Sequence, residues 1–327
     1  MSQDDSSSLS QVVVNLQDFI MKENNDFSLL DSWLKTKFRS SSSVPFSLRM
    51  NSLPPIIVKN IDDERGESCY DVVISYEHNY IIMGGMNSIH VFDYTTKKHV
   101  KSIKLDVEVH EMEIDKNGLN LYLTGLWETN YAYRVAKYDL VKLLNGEEGS
   151  CLWVCAENLL QNLWGIGLFE CQDETFVYVM DYGSGLMVFD SRTGQRVHHK
   201  VPTVANGYGV AFTPENEMII TSAHPHASPV EIYTFDEKKE QWNLKKNCLR
   251  IESDSTPYGV FYEVPTQRIY VTDTVGKSIT VFDMHTLTRV FRHEFPSNMP
   301  QYYGIMIDRK TGILYLPDVT GQLLCFD

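Results

Sequence analysis

Six aromatic-aspartate pairs recur along this chain at a near-constant interval: Phe92-Asp93, Tyr138-Asp139, Phe189-Asp190, Phe235-Asp236, Phe282-Asp283 and Phe326-Asp327. Successive aspartates stand 46, 51, 46, 47 and 44 residues apart. A period of that length marks a supersecondary unit that buries its apolar faces only by stacking on copies of itself. Two unrelated domains would not produce it.

Each unit contains three or four short runs rich in β-branched and aromatic residues. Between residues 258 and 295 they read "YGVFYEV", "RIYVTD", "SITVFD" and "RVFRHEF". Runs of that length and composition, separated by turn residues, predict the four antiparallel strands of one propeller blade. The aspartate that ends the third strand has a local cause, because its carboxylate can accept backbone N–H groups in an Asx-turn and reverse the chain into the outer strand. The second unit departs from the others, its stretch "YAYRVAKYDLVKLLNGEEGS" carrying an insertion.

The last unit supplies three strands, "YGIMIDRK", "GILYLPD" and "GQLLCFD". Upstream of the first unit lies "LPPIIVKNI", residues 53–61, apolar and β-rich with its prolines at the start, as an edge strand tolerates. Ile56 to Ile61 is therefore expected to be the outer strand of the last blade, which leaves the ring no raw sheet edge. The expected fold is all-β, a six-bladed β-propeller over 53–327 closed by that strand. It is preceded over 1–52 by a disordered start, a short helical arm and a Ser-rich linker. In the arm, Val12, Val13, Leu16, Phe19 and Ile20 share one helical face, and Asp26 stands where it can cap a second helix bearing Leu29, Leu30, Trp33 and Leu34.

The string "YGVFYEVPTQRIYVTDTVGKSITVFD", Tyr258 to Asp283, resembles the NHL and related YVTN-type β-propeller repeats. The likeness extends at varying strength over 70–327. It implies an interaction module, with RNA binding known for some members. A weaker resemblance, to the regucalcin and lactonase propellers, implies a metal-dependent hydrolase.

Composition narrows the partners. With 29 basic and 43 acidic side chains the formal net charge is -14, which on average repels phosphate backbones, so nucleic acid is disfavoured. The N-terminus is acidic and polar, no apolar run approaches the length of a membrane span, and the six cysteines form no CxxC pair. These features predict a cytoplasmic protein with reduced thiols and no membrane segment. No GxSxG, phosphate-binding GxxxxGK(S/T) loop, dinucleotide fingerprint or HExxH is present.

Candidate site residues come from repeat positions that face the channel mouth. Tyr70, His110, Trp164, Tyr208, Tyr258 and Tyr303 stand one per unit just before the inner strand. They are expected either to line the mouth as a ligand or partner surface or to pack against neighbouring blades. The next position is Gly165, Gly209, Gly259 and Gly304 in four units but Asp71 and Glu111 in the first two, with Glu113 and Asp115 continuing the acidic column. Two readings of Asp71 and Glu111 compete with a plain acidic rim: ligands of a divalent cation together with Asn162 and Asn206, or an acid-base pair. Gln301 occupies the equivalent place in the last unit. Asp181, Asp273 and Asp318 read as turn caps. His224 and His226 offer two imidazoles, fewer ligands than zinc ordinarily takes. The leading functional expectation is an intracellular scaffold binding a protein or peptide, with no cofactor, followed by the hydrolase and then the RNA-binding module.

Overall fold

The computed structural model describes residues 44–58, 68–129, 131–155, 160–202, 204, 206–224, 228–248 and 256–327. The amphipathic stretches expected before residue 44, and His226, lie outside these. The chain divides into one unit of residues 45–308 and 312–327 and a second of 1–44 and 309–311. The first unit is described here.

Its strands form six four-stranded antiparallel sheets, a six-bladed β-propeller. Blades 1 to 5 use consecutive strands within 69–104, 108–155, 163–197, 207–247 and 257–294. Blade 6 takes its three inner strands from Met306–Ile307, Leu314–Pro317 and Gln322–Phe326, and its outer strand from Ser52–Ile57. That closing strand pairs Ser52 with Phe326, Leu53 with Cys325 and Ile56 with Leu323. It therefore begins four residues earlier than Ile56, and residues 59–61 lie outside the described part. Pro54 and Pro55 sit inside the strand rather than before it, at the register shift between Leu53 and Ile56. A bulge on an edge strand is where a residue without an N–H can be accommodated.

The core is divided among the seams between blades. Six clusters of buried apolar side chains each join two adjacent blades, and the cluster joining blades 6 and 1 unites Ile56, Val72, Ile81, Phe92, Tyr315 and Leu323. Each such side chain contributes roughly 1.5–3 kcal/mol on leaving water, so stability resides in contacts that no single blade can make alone. Packing reaches further back than residue 53. Phe46 is buried at the seam of blades 5 and 6 against Tyr270, with ring centroids 6.0 Å apart, and its N–H donates to Glu263 Oε1 at 2.6 Å.

The aromatic-aspartate pairs act as the local chemistry requires. Phe92, Phe189, Phe282 and Phe326 are buried. Asp93 Oδ1 accepts the N–H of Thr96 at 2.6 Å, Asp190 Oδ1 that of Thr193 at 2.8 Å and Asp283 Oδ1 that of Thr286 at 2.8 Å. In blade 2 the same carboxylate at the same offset caps a helix instead. Asp139 Oδ1 accepts from Lys142 N at 3.0 Å, opening the helix Leu140–Asn145, and Gly146 closes it in the left-handed conformation at φ 71°. Within the stretch read as carrying an insertion, Ala132–Asp139 is a strand and the added element is this helix, which buries Leu140, Leu143 and Leu144.

Candidate functional site: the aromatic plug and the carboxylates behind it

Five of the six ring-bearing residues lie within bulges of the innermost strands rather than ahead of them, while Tyr303 precedes its strand. Pairing with the second strand slips between Cys69 and Asp71, Val109 and Glu111, Leu163 and Ile166, Gly207 and Val210, and Pro257 and Val260. Each slip brackets one of Tyr70, His110, Trp164, Tyr208 and Tyr258. Tyr303 occupies the matching place in blade 6, just after the Tyr302–Asp318 bridge and before Met306 pairs with Tyr315. A bulge frees one residue from the ladder and re-aims its side chain.

The rings do not line an open mouth; they meet. Trp164 of blade 3 stacks on Tyr303 of blade 6 with centroids 5.6 Å apart and reaches Tyr258 of blade 5 at 5.5 Å and Tyr70 of blade 1 at 6.4 Å. His110 stacks on Trp164 at 4.8 Å, and Tyr208 and Tyr258 approach to 3.9 Å. Contacts between opposite blades mean that the axis is plugged at this level. Every ring packs on its neighbours, and Tyr70, Trp164, Tyr258 and Tyr303 remain half-buried. Trp164 Nε1 is buried without a hydrogen-bond partner among the described residues.

The turns joining second and third strands open on the same face, level with the bulges, as the Leu163–Asp181 and Pro257–Asp273 pairings show. Their tips carry Met86, Tyr131, Tyr182 and Val275, all exposed, with Tyr131 at 81% and Val275 at 63%. Sequence reasoning had no reason to single out these four, because an apolar residue in a turn carries no motif. Their alignment on one face comes from the register.

One residue further along the inner strands, the glycines and acids of the repeat separate as expected. A Cβ built on Gly165 would lie 2.3 Å from the Tyr208 carbonyl oxygen, and one on Gly259 2.4 Å from that of Tyr303. Glycine is needed there because the neighbouring backbone occupies the side-chain space. In blades 4 and 5 a threonine completes the joint. Thr221 Oγ1 accepts from Gly209 N and donates to Tyr258 O, each at 2.8 Å, and Thr272 does the same between Gly259 N at 2.8 Å and Tyr303 O at 2.7 Å.

Asp71 and Glu111 make the corresponding joint with carboxylates. Asp71 Oδ2 accepts the Met112 N–H of blade 2 at 2.8 Å, and Glu111 Oε2 accepts the Ile166 N–H of blade 3 at 3.0 Å. Burial raises Asp71 to about 7, against the pull of the N–H groups of Met112 and Val72. Glu113 rises to about 8 through burial and the charge of Asp71, and Glu111 is raised well above the usual range by burial, Asp71 and Glu113. Asp115 instead serves its own turn, accepting from Leu119 N at 2.8 Å and from the Asn120 side chain at 2.6 Å.

The two asparagines expected to complete a cation site hold turns through their backbone carbonyls. The Asn162 carbonyl accepts from Tyr182 N at 2.9 Å and that of Asn206 from Ala223 N at 3.0 Å. Among the described residues no three or more His, Cys, Asp or Glu side chains are grouped to hold a metal ion.

The remaining candidate acids are turn caps. Asp181 Oδ1 accepts from Gly183 and Ser184, and its Oδ2 from Gln161 at 2.7 Å. Asp273 Oδ1 joins Thr256 at 3.0 Å to Gly276 at 2.8 Å. Asp318 Oδ1 holds Thr320 and Gln322, but its Oδ2 is buried without a partner among the described residues. The position matching Gln161, three residues before the ring residue, is Pro300, which has no N–H to offer.

No protein-family model and no curated protein matches the chain. Solved structures share its fold. A protein of unknown function from Bacteroides thetaiotaomicron superposes with a TM-score of 0.60 at 11% identity, over 87% of this chain and 74% of its own. A luciferin-regenerating enzyme superposes with a TM-score of 0.58 at 12% identity, over 84% of this chain and 95% of its own. At such identities the likeness shows the β-propeller and nothing finer. No helix of the described residues is long and apolar enough to cross a membrane.

Proposed function

We propose that the chain is a binding module that presents its ring-bearing face to a protein or peptide, in keeping with the resemblance to NHL-type repeats. The observation that carries this reading is the coincidence on one face of a half-buried aromatic plug and exposed apolar tips from four blades. Aromatic groups on a rigid frame give large contact area at little entropic cost, the property of interface anchors. The test replaces Tyr131, Tyr182 and Val275 by serine together, leaving the plug intact. Capture of a partner from a cell extract should be lost while circular dichroism and melting temperature hold; capture undiminished by the triple substitution would sink the reading.

A metal-dependent hydrolase is the competing proposal, favoured by the juxtaposition of Asp71, Glu111 and Glu113 and by a fold neighbour described as an enzyme. The donor set gives it less support, because Asp71 and Glu111 each have an oxygen committed to a backbone N–H. A rise in melting temperature with millimolar calcium, abolished in Asp71→Asn, would favour it over the binding module.

A further inference from the structure

Among the described residues, the carboxylate at the edge of the aromatic plug has no lysine or arginine paired with it. Burial and the nearby Glu108 carboxylate hold the Tyr70 hydroxyl protonated, and Glu108 Oε1 lies 4.0 Å from His110 Nε2. Burial disfavours the protonated ring of His110, against the pull of Glu108 and of the Leu163 carbonyl, which takes its Nδ1–H at 2.6 Å. Asp106, between blades 1 and 2, and Glu128, in the turn that also bears Tyr131, are exposed on the same face. Among the described residues of the loops on that face, Lys277 is the lysine or arginine present, and its ammonium is committed to the carbonyls of Ser297 and Met299.

Partly open aromatic faces beside an unbalanced carboxylate are attractive to one kind of group. The ring quadrupole draws a cation to its face, most strongly for tryptophan, and a nearby carboxylate adds a charge-assisted hydrogen bond. We infer that the partner is anchored by an arginine or lysine flanked by apolar residues, the cation seated over Tyr70, Trp164 and Tyr303 against Glu108 and the flanks resting on Met86, Tyr131, Tyr182 and Val275. This rests on the binding reading above and names the chemistry of its partner.

The experiment titrates the full chain with three blocked nonapeptides, alternating leucine with arginine, with glutamine or with glutamate, followed by tryptophan fluorescence and calorimetry. The arginine peptide should bind at least about tenfold more tightly than the glutamine peptide. Glu108→Gln, which keeps an acceptor for Tyr70, should remove most of that advantage, and Asp106→Asn with Glu128→Gln, both exposed, should weaken it several-fold. Glu215→Gln with Glu237→Gln, an equal charge change on the opposite face, should leave it unchanged, which separates a seat from general attraction to an acidic protein.

Equal binding of the arginine and glutamine peptides, no effect of Glu108→Gln, or no binding of the arginine peptide at millimolar concentration would each overturn the cationic seat. Equal binding that is weakened by the Tyr131, Tyr182 and Val275 substitutions would overturn the seat alone and leave the binding face standing. Peptide binding indifferent to those three substitutions would remove both.

Discussion

The joints around blades 1 and 2 and those around blades 4 and 5 perform one mechanical task with two chemistries. Where Thr221 and Thr272 bridge to the next blade's carbonyl, glycine brings the backbones together and a neutral hydroxyl satisfies both sides. Where Asp71 and Glu111 replace glycine, a carboxylate reaches across to an N–H. The first solution is indifferent to pH and depends on the absence of a side chain. The second tolerates a side chain but carries a proton-dependent charge into a buried place, beside other charges of the same sign. An acid at a channel mouth is therefore not evidence of catalysis until its other partners are known, and here those partners are backbone.

The harshest way to break the comparison removes the third kind of joint, the exchanged strand between blades 6 and 1. Deleting residues 52–58 strips Ile56 and Val58 from the seam and exposes the edge of Gln322–Phe326, and should abolish cooperative urea unfolding or yield aggregate. A chain that still unfolded cooperatively at the original midpoint would show that the closure is dispensable.

Gly259→Val comes next. Its Cβ would strike the Tyr303 carbonyl, and we expect a loss of about 3 kcal/mol by chemical denaturation. The glycine-to-acid exchange that blades 1 and 2 accommodate should fail in blade 5, so Gly259→Asp ought to be at least as costly.

Proton linkage distinguishes the two regions most directly. In the unfolded chain Asp71 and Glu113 release their protons near the ordinary carboxylate values, about 4. In the folded chain they hold them to about 7 and about 8. Between those limits the folded state binds more protons, so their contribution is full below pH 4 and is lost as pH rises through 7 to 8. The slope approaches about 1.4 kcal/mol per pH unit for each proton retained. Asp71→Asn, which keeps an acceptor for Met112, should flatten this part of the profile and be more stable than the parent at pH 9, whereas Thr272→Ser should leave the profile's shape unaltered. A parent profile flat from pH 5 to 9 would contradict the assignment.

The smallest effect compares the corners. Asp283→Ala removes an Asx-turn and Asp139→Ala a helix cap with the same offset, and each should cost about 1 kcal/mol by thermal denaturation. A larger loss at Asp139 would show that the helix Leu140–Asn145 stabilises blade 2 beyond its own cap.

Much of this was legible before any coordinates. The aspartate period gave the blade count, and the alternation of apolar residues gave the strands, because repeats and side-chain periodicity are local properties of the chain. The glycines at 165, 209, 259 and 304 announced close approach for the same reason. Less legible was the closing strand, which begins at Ser52 because a bulge absorbs Pro54 and Pro55, a device that propensity alone does not reveal. The bulges around Tyr70, His110, Trp164, Tyr208 and Tyr258 were also hidden, since the frame of a ladder is set by its partner strand.

By itself, the sequence determined a ring of six blades, its corners and the residues brought near its axis, since a repeated pattern has few ways to bury its apolar faces. Only the tertiary structure decided that the rings touch across the axis, that Asp71 and Glu111 clasp neighbouring blades, and that Met86, Tyr131, Tyr182 and Val275 share one face. Those outcomes depend on distances between residues far apart in the chain, and such distances are fixed only once every blade has packed against the next.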